Sequence, residues 1–163
     1  IYPYMDILLE FIKSNNTIKH INAQETINNK IKKIGKKINI NLKNILISDL
    51  PLSYCHGDLT LENVIISSKG KLYLIDFLDS FLNSNLVDLS KILQDLIFMW
   101  SWRNEKIKPY SKLVLLQEHI DKNIIKEDYL SSYKLMKLNL LRILPYIGKD
   151  TNTYNNILRF LNI

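Results

Sequence analysis

The chain has 163 residues, 47% of them hydrophobic, and a formal net charge of +6. That is about one domain with enough apolar side chain for a core, which excludes a disordered chain. No apolar run approaches the roughly 20 residues of a bilayer span, and Ile1-Tyr-Pro-Tyr4 lacks the basic start and small-residue cleavage site of a signal peptide.

A single cysteine, Cys55, excludes an internal disulfide and fits a reducing compartment, so the expected location is cytoplasmic. Beside His56, Cys55 could suggest a Cys/His nucleophile pair. The ordinary reading, a small buried residue at the end of a strand, is preferred.

Residues 4–14 read as the first helix, with Met5, Leu8, Leu9 and Ile12 on one face. Residues 23–38 read as the second, with Gly35 as its weak point. Its isoleucines, Ile27, Ile31, Ile34 and Ile38, recur at helical spacing. The lysines of Lys30-Ile-Lys-Lys-Ile-Gly-Lys-Lys37 then fall on a solvated face. A phosphate-rich partner is the other reading of that run, and a basic surface also suits an enzyme handling anionic nucleotides. Pro51 marks a break. Residues 63–67 and 71–76 are short β-rich runs around Ser68-Lys-Gly70, which predicts a hairpin.

The pattern beyond is helical. Residues 86–102 carry Leu86, Leu89, Ile92, Leu93, Leu96, Ile97 and Trp100 on a wide apolar stripe. Residues 109–120 and 127–147 are two more helices, the latter ended or kinked at Pro145. Residues 151–163 form a final helix, capped by Thr151 or Thr153. The expected fold class is mainly α with a small β-hairpin element, in one domain over residues 1–163.

Chemistry concentrates in Tyr54-Cys-His-Gly-Asp-Leu-Thr-Leu-Glu-Asn-Val-Ile-Ile66 and in Asp76. Asp58 opens a loop, Asn63 stands five positions on, and Asp76 ends a short apolar run. Phosphoryl transfer asks for a group that orients the attacking hydroxyl and for oxygen ligands to a metal that neutralises the phosphates. A hairpin brings Asn63, at the start of one strand, and Asp76, at the end of the other, toward Asp58. Magnesium accepts such a set of one or two carboxylates completed by phosphates and waters.

The set His56-Gly57-Asp58, Asn63 and Ile75-Asp76-Phe77, with Asp88 in Leu86-Val-Asp-Leu-Ser-Lys91, resembles the aminoglycoside phosphotransferase and choline kinase-like family. That family is related to the protein kinases in fold and catalytic layout. The resemblance covers roughly residues 1–147 and implies a kinase-like C-terminal lobe that uses ATP and Mg2+. It implies Asp58 as the catalytic base and Asn63 and Asp76 as magnesium and cofactor ligands. His56 and Asp88 would be supports that hydrogen-bond the loop, with Gly57 supplying backbone freedom. Asp79 and Trp102 are candidates for substrate contact, although a solvated loop aspartate is the ordinary reading of Asp79. Trp100 reads as core. Glu62 stands where the family often has glycine, a departure that leaves acceptor specificity open.

The family's N-terminal lobe, with its nucleotide loop and phosphate-pairing lysine, is expected to be missing from these 163 residues. The residues before the motif read as helices, and the lysines of residues 30–37 stand on one of them. A partner lobe, in the same or another chain, is therefore expected beside a small-molecule hydroxyl acceptor. Aminoglycosides, choline-like alcohols and sugars are all acceptors in the family, and no residue selects among them. The alternative is a non-catalytic, kinase-like binding or regulatory module. A nucleic-acid-binding domain rests on charge alone.

Overall fold

A computed structural model describes residues 2–14, 16–149 and 151–163. In chain order the elements are α1 (Tyr2–Ser14), β1 (Asn16–Ile21), α2 (Gln24–Ile38), β2 (Leu50–Ser53), β3 (Val64–Ile66), β4 (Leu72–Leu74), α3 (Asn85–Phe98), α4 (Tyr110–Asn123), α5 (Lys126–Ile143) and α6 (Asn152–Leu161). The fold is mainly α with a small β component, as the periodicity predicts. Among the described residues, no helix is long and apolar enough to cross a membrane.

The four residues of the apolar face predicted for α1, Met5, Leu8, Leu9 and Ile12, are all buried, as are Ile27, Ile31, Ile34 and Ile38 of α2. Gly35 does not break α2. An added Cβ would lie 2.7 Å from the carbonyl oxygen of Ile40, so the bare glycine lets the following loop fold back against the helix. The Ile40 amide donates to the Gly35 carbonyl at 3.1 Å. Gln24, at the other end of α2, pins the same loop by donating to Ile45 O and accepting from Ile47 N, both at 2.9 Å.

The expectation that only helices precede the motif is corrected here. β1 and β2 pair antiparallel, with His20 opposite Pro51 and Ile21 opposite Leu50, and the register shifts between Asn16 and His20. Pro51 argues against a central strand because it has no N–H to give. In a sheet of two strands each strand keeps an open edge, and proline is tolerated there. β3 and β4 form the predicted hairpin, Val64 opposite Leu74 and Ile66 opposite Leu72.

α3 is the centre of the molecule. Leu89, Ile92 and Leu93 are fully buried, and so are the polar Asp88, Ser90, Gln94 and Asp95. A helix buried on nearly every side packs against several partners at once, and α3 lies along α5 and touches α1, α4 and β2. Full burial of a leucine there contributes roughly 1.5–3 kcal/mol.

The single helix expected over residues 86–102 is also corrected. α3 stops at Phe98, Met99 turns left-handed (φ 57°), and Trp100–Trp102 make a 3-10 turn. The cause is Asp95, whose Oδ1 accepts from both the amide and the hydroxyl of Ser101, at 2.8 and 2.7 Å. That carboxylate draws the chain out of the helical path. At the far end, α5 gives way after Ile143 to a 3-10 turn containing Pro145, where the missing N–H forbids a further α-helical bond. Thr151 caps α6 as predicted, accepting from the Tyr154 amide at 3.2 Å.

Candidate active site

The loop from Tyr54 to Leu61 runs between β2 and the hairpin, and three buried side chains hold it. The carboxylate of Asp88, in the first turn of α3 and 1% exposed, accepts from the amides of His56 (2.7 Å) and Gly57 (2.9 Å). Burial pushes the Asp88 carboxyl up, and those two amides oppose the shift. His56 is fully buried. Its Nδ1 accepts from the Asp58 amide at 3.3 Å, which leaves Nε2 to donate to the Ile75 carbonyl at 2.7 Å. One imidazole thus joins the loop to the segment that carries Asp76. The Phe77 ring packs on it, with centroids 4.2 Å apart. Further along α3, Asp95 accepts from the Leu61 amide at 2.6 Å. Burial raises its carboxyl as well.

Gly57 is required by shape. Its φ is +83°, and a Cβ there would lie 2.1 Å from the Leu78 carbonyl oxygen. The loop and the segment after β4 touch at this point, and the Leu78 amide donates to the His56 carbonyl at 2.9 Å.

Asp58 projects from this fixed loop, and its Oδ1 pairs with Lys91 Nζ at 2.8 Å. Gly57, Asp58, Asp79, Phe81, Lys91 and Arg142 border one small cleft of about 200 Å3. Asp79 therefore shares the cleft with Asp58. Arg142 reaches it from the end of α5, where burial lowers its pKa and the nearby charge of Asp58 opposes that shift.

Asn63 does not open a strand, as the sequence suggests, but closes a 3-10 turn over Leu61–Asn63 just before β3. Its Nδ2 donates to the Asp58 carbonyl at 2.8 Å, which turns the amide oxygen away from the loop. The Asn63 carbonyl in turn accepts from the Ile75 amide at 3.1 Å. Asn63 and Asp76 thus meet at one end of the hairpin. Asp76 lies just past β4, in the left-handed region (φ 58°), a conformation that aspartate tolerates better than most residues. Its side chain is exposed and, among the described residues, takes no ion pair.

This donor set fits magnesium. A carboxylate and an amide oxygen are hard ligands, and a magnesium site is commonly completed by phosphates and waters. A soft or all-protein metal cage is a poor fit, because among the described residues no group of three His, Cys, Asp or Glu converges.

Cys55 stands two residues past the end of β2 and is half-buried, not the buried strand-end residue that the sequence suggests. Its half-buried thiol lies 3.8 Å from the Leu82 carbonyl, and burial raises its pKa. Both ring nitrogens of His56 are engaged elsewhere, so no Cys/His nucleophile pair forms. Trp102 is not brought to Asp58. It lines a separate apolar cleft with Tyr4, Met5 and Leu61. Trp100 is half-buried against the core, with the Arg103 guanidinium 4.3 Å from its ring centroid.

Three residues of the site went unnoticed in the sequence. Asp95 carries a signal, since a carboxylate inside an apolar stripe and seven residues from Asp88 shares its helical face. Lys91, one turn beyond Asp88, does so more weakly. Arg142 comes from a distant helix and carries none.

Neither curated proteins nor solved structures contain a significant match to this chain. The family model of the phosphotransferase enzyme family matches residues 22–110, a stretch that runs from α2 through the loop, the hairpin and α3 to the start of α4. The match takes in more than half of the sequence and every residue around Asp58 except Arg142, and the chain belongs to the phosphotransferase enzyme family.

Proposed function

We propose that this chain carries the catalytic lobe of an ATP-dependent phosphotransferase that moves the γ-phosphate of ATP to a hydroxyl of a small molecule. The observation that carries the reading is the joint placement of Asp58, Asn63 and Asp76. Asp58 is held by Lys91 and by a loop pinned to Asp88, and Asn63 and the Asp76 segment are tied to the same loop.

Asp58 would accept the hydrogen bond of the acceptor hydroxyl. Lys91 fixes Oδ1, so Oδ2 is the oxygen that orients the hydroxyl and takes its proton. In the same step the hydroxyl oxygen bonds to the γ-phosphorus and the bond from that phosphorus to the β–γ bridging oxygen breaks, releasing ADP. A magnesium ion held by Asn63 and Asp76 would neutralise phosphate charge when bound. His56, Gly57 and Asp88 would position the loop without touching substrate. A lobe that covers the nucleotide, in this or another chain, belongs to the same reading, as does a cytoplasmic setting with ATP at hand.

The test is a Mg2+-ATP titration of the chain against Asp76→Asn, which keeps a residue tolerant of φ 58° and removes the charge. The wild type should bind saturably, and the variant should bind about tenfold or more weaker. Equal affinity in the two would remove Asp76 from the metal site.

A further inference from the structure

We infer that the large cleft between α2 and the end of α5 is the acceptor subsite, and that its acceptor is a hydroxyl compound that also carries an oxyanion, a phosphate or a carboxylate. This rests on the reading of Asp58 above and narrows the class of substrate.

The cleft holds about 720 Å3, room for a small metabolite. Lys30, Lys33 and Lys37, at helical spacing on α2, stand along one side. Arg142 and Lys91 also line the cleft, and among the described residues no acidic side chain does. The basic run of α2 is thus divided. Lys32 and Lys36 line a different groove, while the other three line this one.

Lys91 and Arg142 also border the small cleft that contains Asp58, whereas Asn63 and Asp76 line neither. A molecule in the large cleft therefore reaches Asp58 from a side where the candidate metal ligands do not stand. That is the position of an acceptor rather than of the nucleotide.

The lysines are not simply spread in solvent. Lys30 Nζ lies 4.5 Å from the centroid of the Phe81 ring, and the Arg142 guanidinium lies 4.8 Å from the same centroid. Two cations share one aromatic ring, so like charges are held close together. Burial lowers the pKa of Lys30, and the charges of Arg142 and Lys33 lower it further. Arg142 is steadied by a buried relay: Ser90 Oγ accepts from Asn139 Nδ2 at 2.9 Å, and Asn139 Oδ1 accepts from Arg142 at 3.4 Å. An oxyanion placed among these groups would relieve their repulsion and accept charge-assisted hydrogen bonds. A cationic acceptor such as choline or an aminoglycoside would meet the positive side chains of Lys30, Lys33, Lys37 and Arg142, besides Lys91, whose charge is paired with Asp58.

The test titrates the chain with glucose 6-phosphate, gluconate, glucose and choline, read by calorimetry at low and high salt. Glucose 6-phosphate or gluconate should bind saturably, more weakly as salt rises, and the tighter of the two identifies the oxyanion. Glucose and choline should not bind. The double variant Lys30→Ala/Lys33→Ala should weaken oxyanion binding about tenfold and, with neither side chain in the apolar core, keep a cooperative unfolding transition. Binding of choline in place of the oxyanions would overturn the inference. So would oxyanion binding that survives the double variant, and so would duplex DNA binding tighter than either oxyanion and weakened equally by Lys32→Ala/Lys36→Ala. Oxyanion binding by a chain whose Mg2+-ATP affinity is the same in wild type and Asp76→Asn would support the cleft and count against the phosphotransfer reading alone.

Discussion

Replacing Asp88 with alanine would remove the carboxylate that joins α3 to the loop carrying Asp58. Two amides, those of His56 and Gly57, lose their acceptor at 2.7 and 2.9 Å. Each donor left buried and unpaired costs about 1–3 kcal/mol. The gross loss is therefore roughly 2–6 kcal/mol. Two effects reduce it. The buried charge itself is unfavourable, as the raised pKa of Asp88 indicates, and the vacated space can admit a water to one amide. A net loss of about 3 kcal/mol is expected, a large share of the 5–15 kcal/mol typical of a domain. Urea unfolding followed by tryptophan fluorescence measures the loss. Amide exchange at His56 and Gly57 shows whether it arises in the loop. Asp88→Asn, which keeps one acceptor oxygen, should fall between wild type and Asp88→Ala. A loss below about 0.5 kcal/mol, with both amides still protected, would refute the view that Asp88 holds the loop.

Gly57→Ala should destabilise by about 3 kcal/mol, from left-handed backbone strain plus the clash of Cβ with the Leu78 carbonyl 2.1 Å away. An unchanged urea midpoint would contradict this geometry. Asp95 supplies a pH-dependent test. Burial raises its carboxyl above the ordinary value of 3.8, so between that value and the raised one the folded chain binds more protons than the unfolded chain. Stability then falls as pH rises through this window. Asp95→Asn lacks the slope, so the excess stability of wild type over the variant should be largest at the acid end and shrink toward neutral pH. An excess that grows with pH in urea titrations would show the opposite sign.

The positions of the candidate site residues were legible because they are local in the chain. Asp58 and Asn63 belong to one loop, and a hairpin of two three-residue strands brings Asp76 beside them. Spacing alone therefore predicts their approach. The isoleucines of α2 and the leucines of α3 were legible for the same reason, since a helical period determines which side chains share a face.

Short irregular elements were not. β1 and β2 lie about thirty residues apart, and Pro51 conceals the second. The end of α3 depended on Asp95 choosing the amide of Ser101, a bond that no propensity encodes.

By itself, then, the sequence determined the loop, the hairpin, the candidate base and metal ligands, and the amphipathic helices, all of which depend on near neighbours. Only the tertiary structure decided what surrounds Asp58. Lys91 comes from α3 and Arg142 from α5, and Lys30 of α2 meets Arg142 at the Phe81 ring that borders the same cleft. Their convergence depends on how three helices pack around a shared core, and packing brings together residues whose separation along the chain carries no signal.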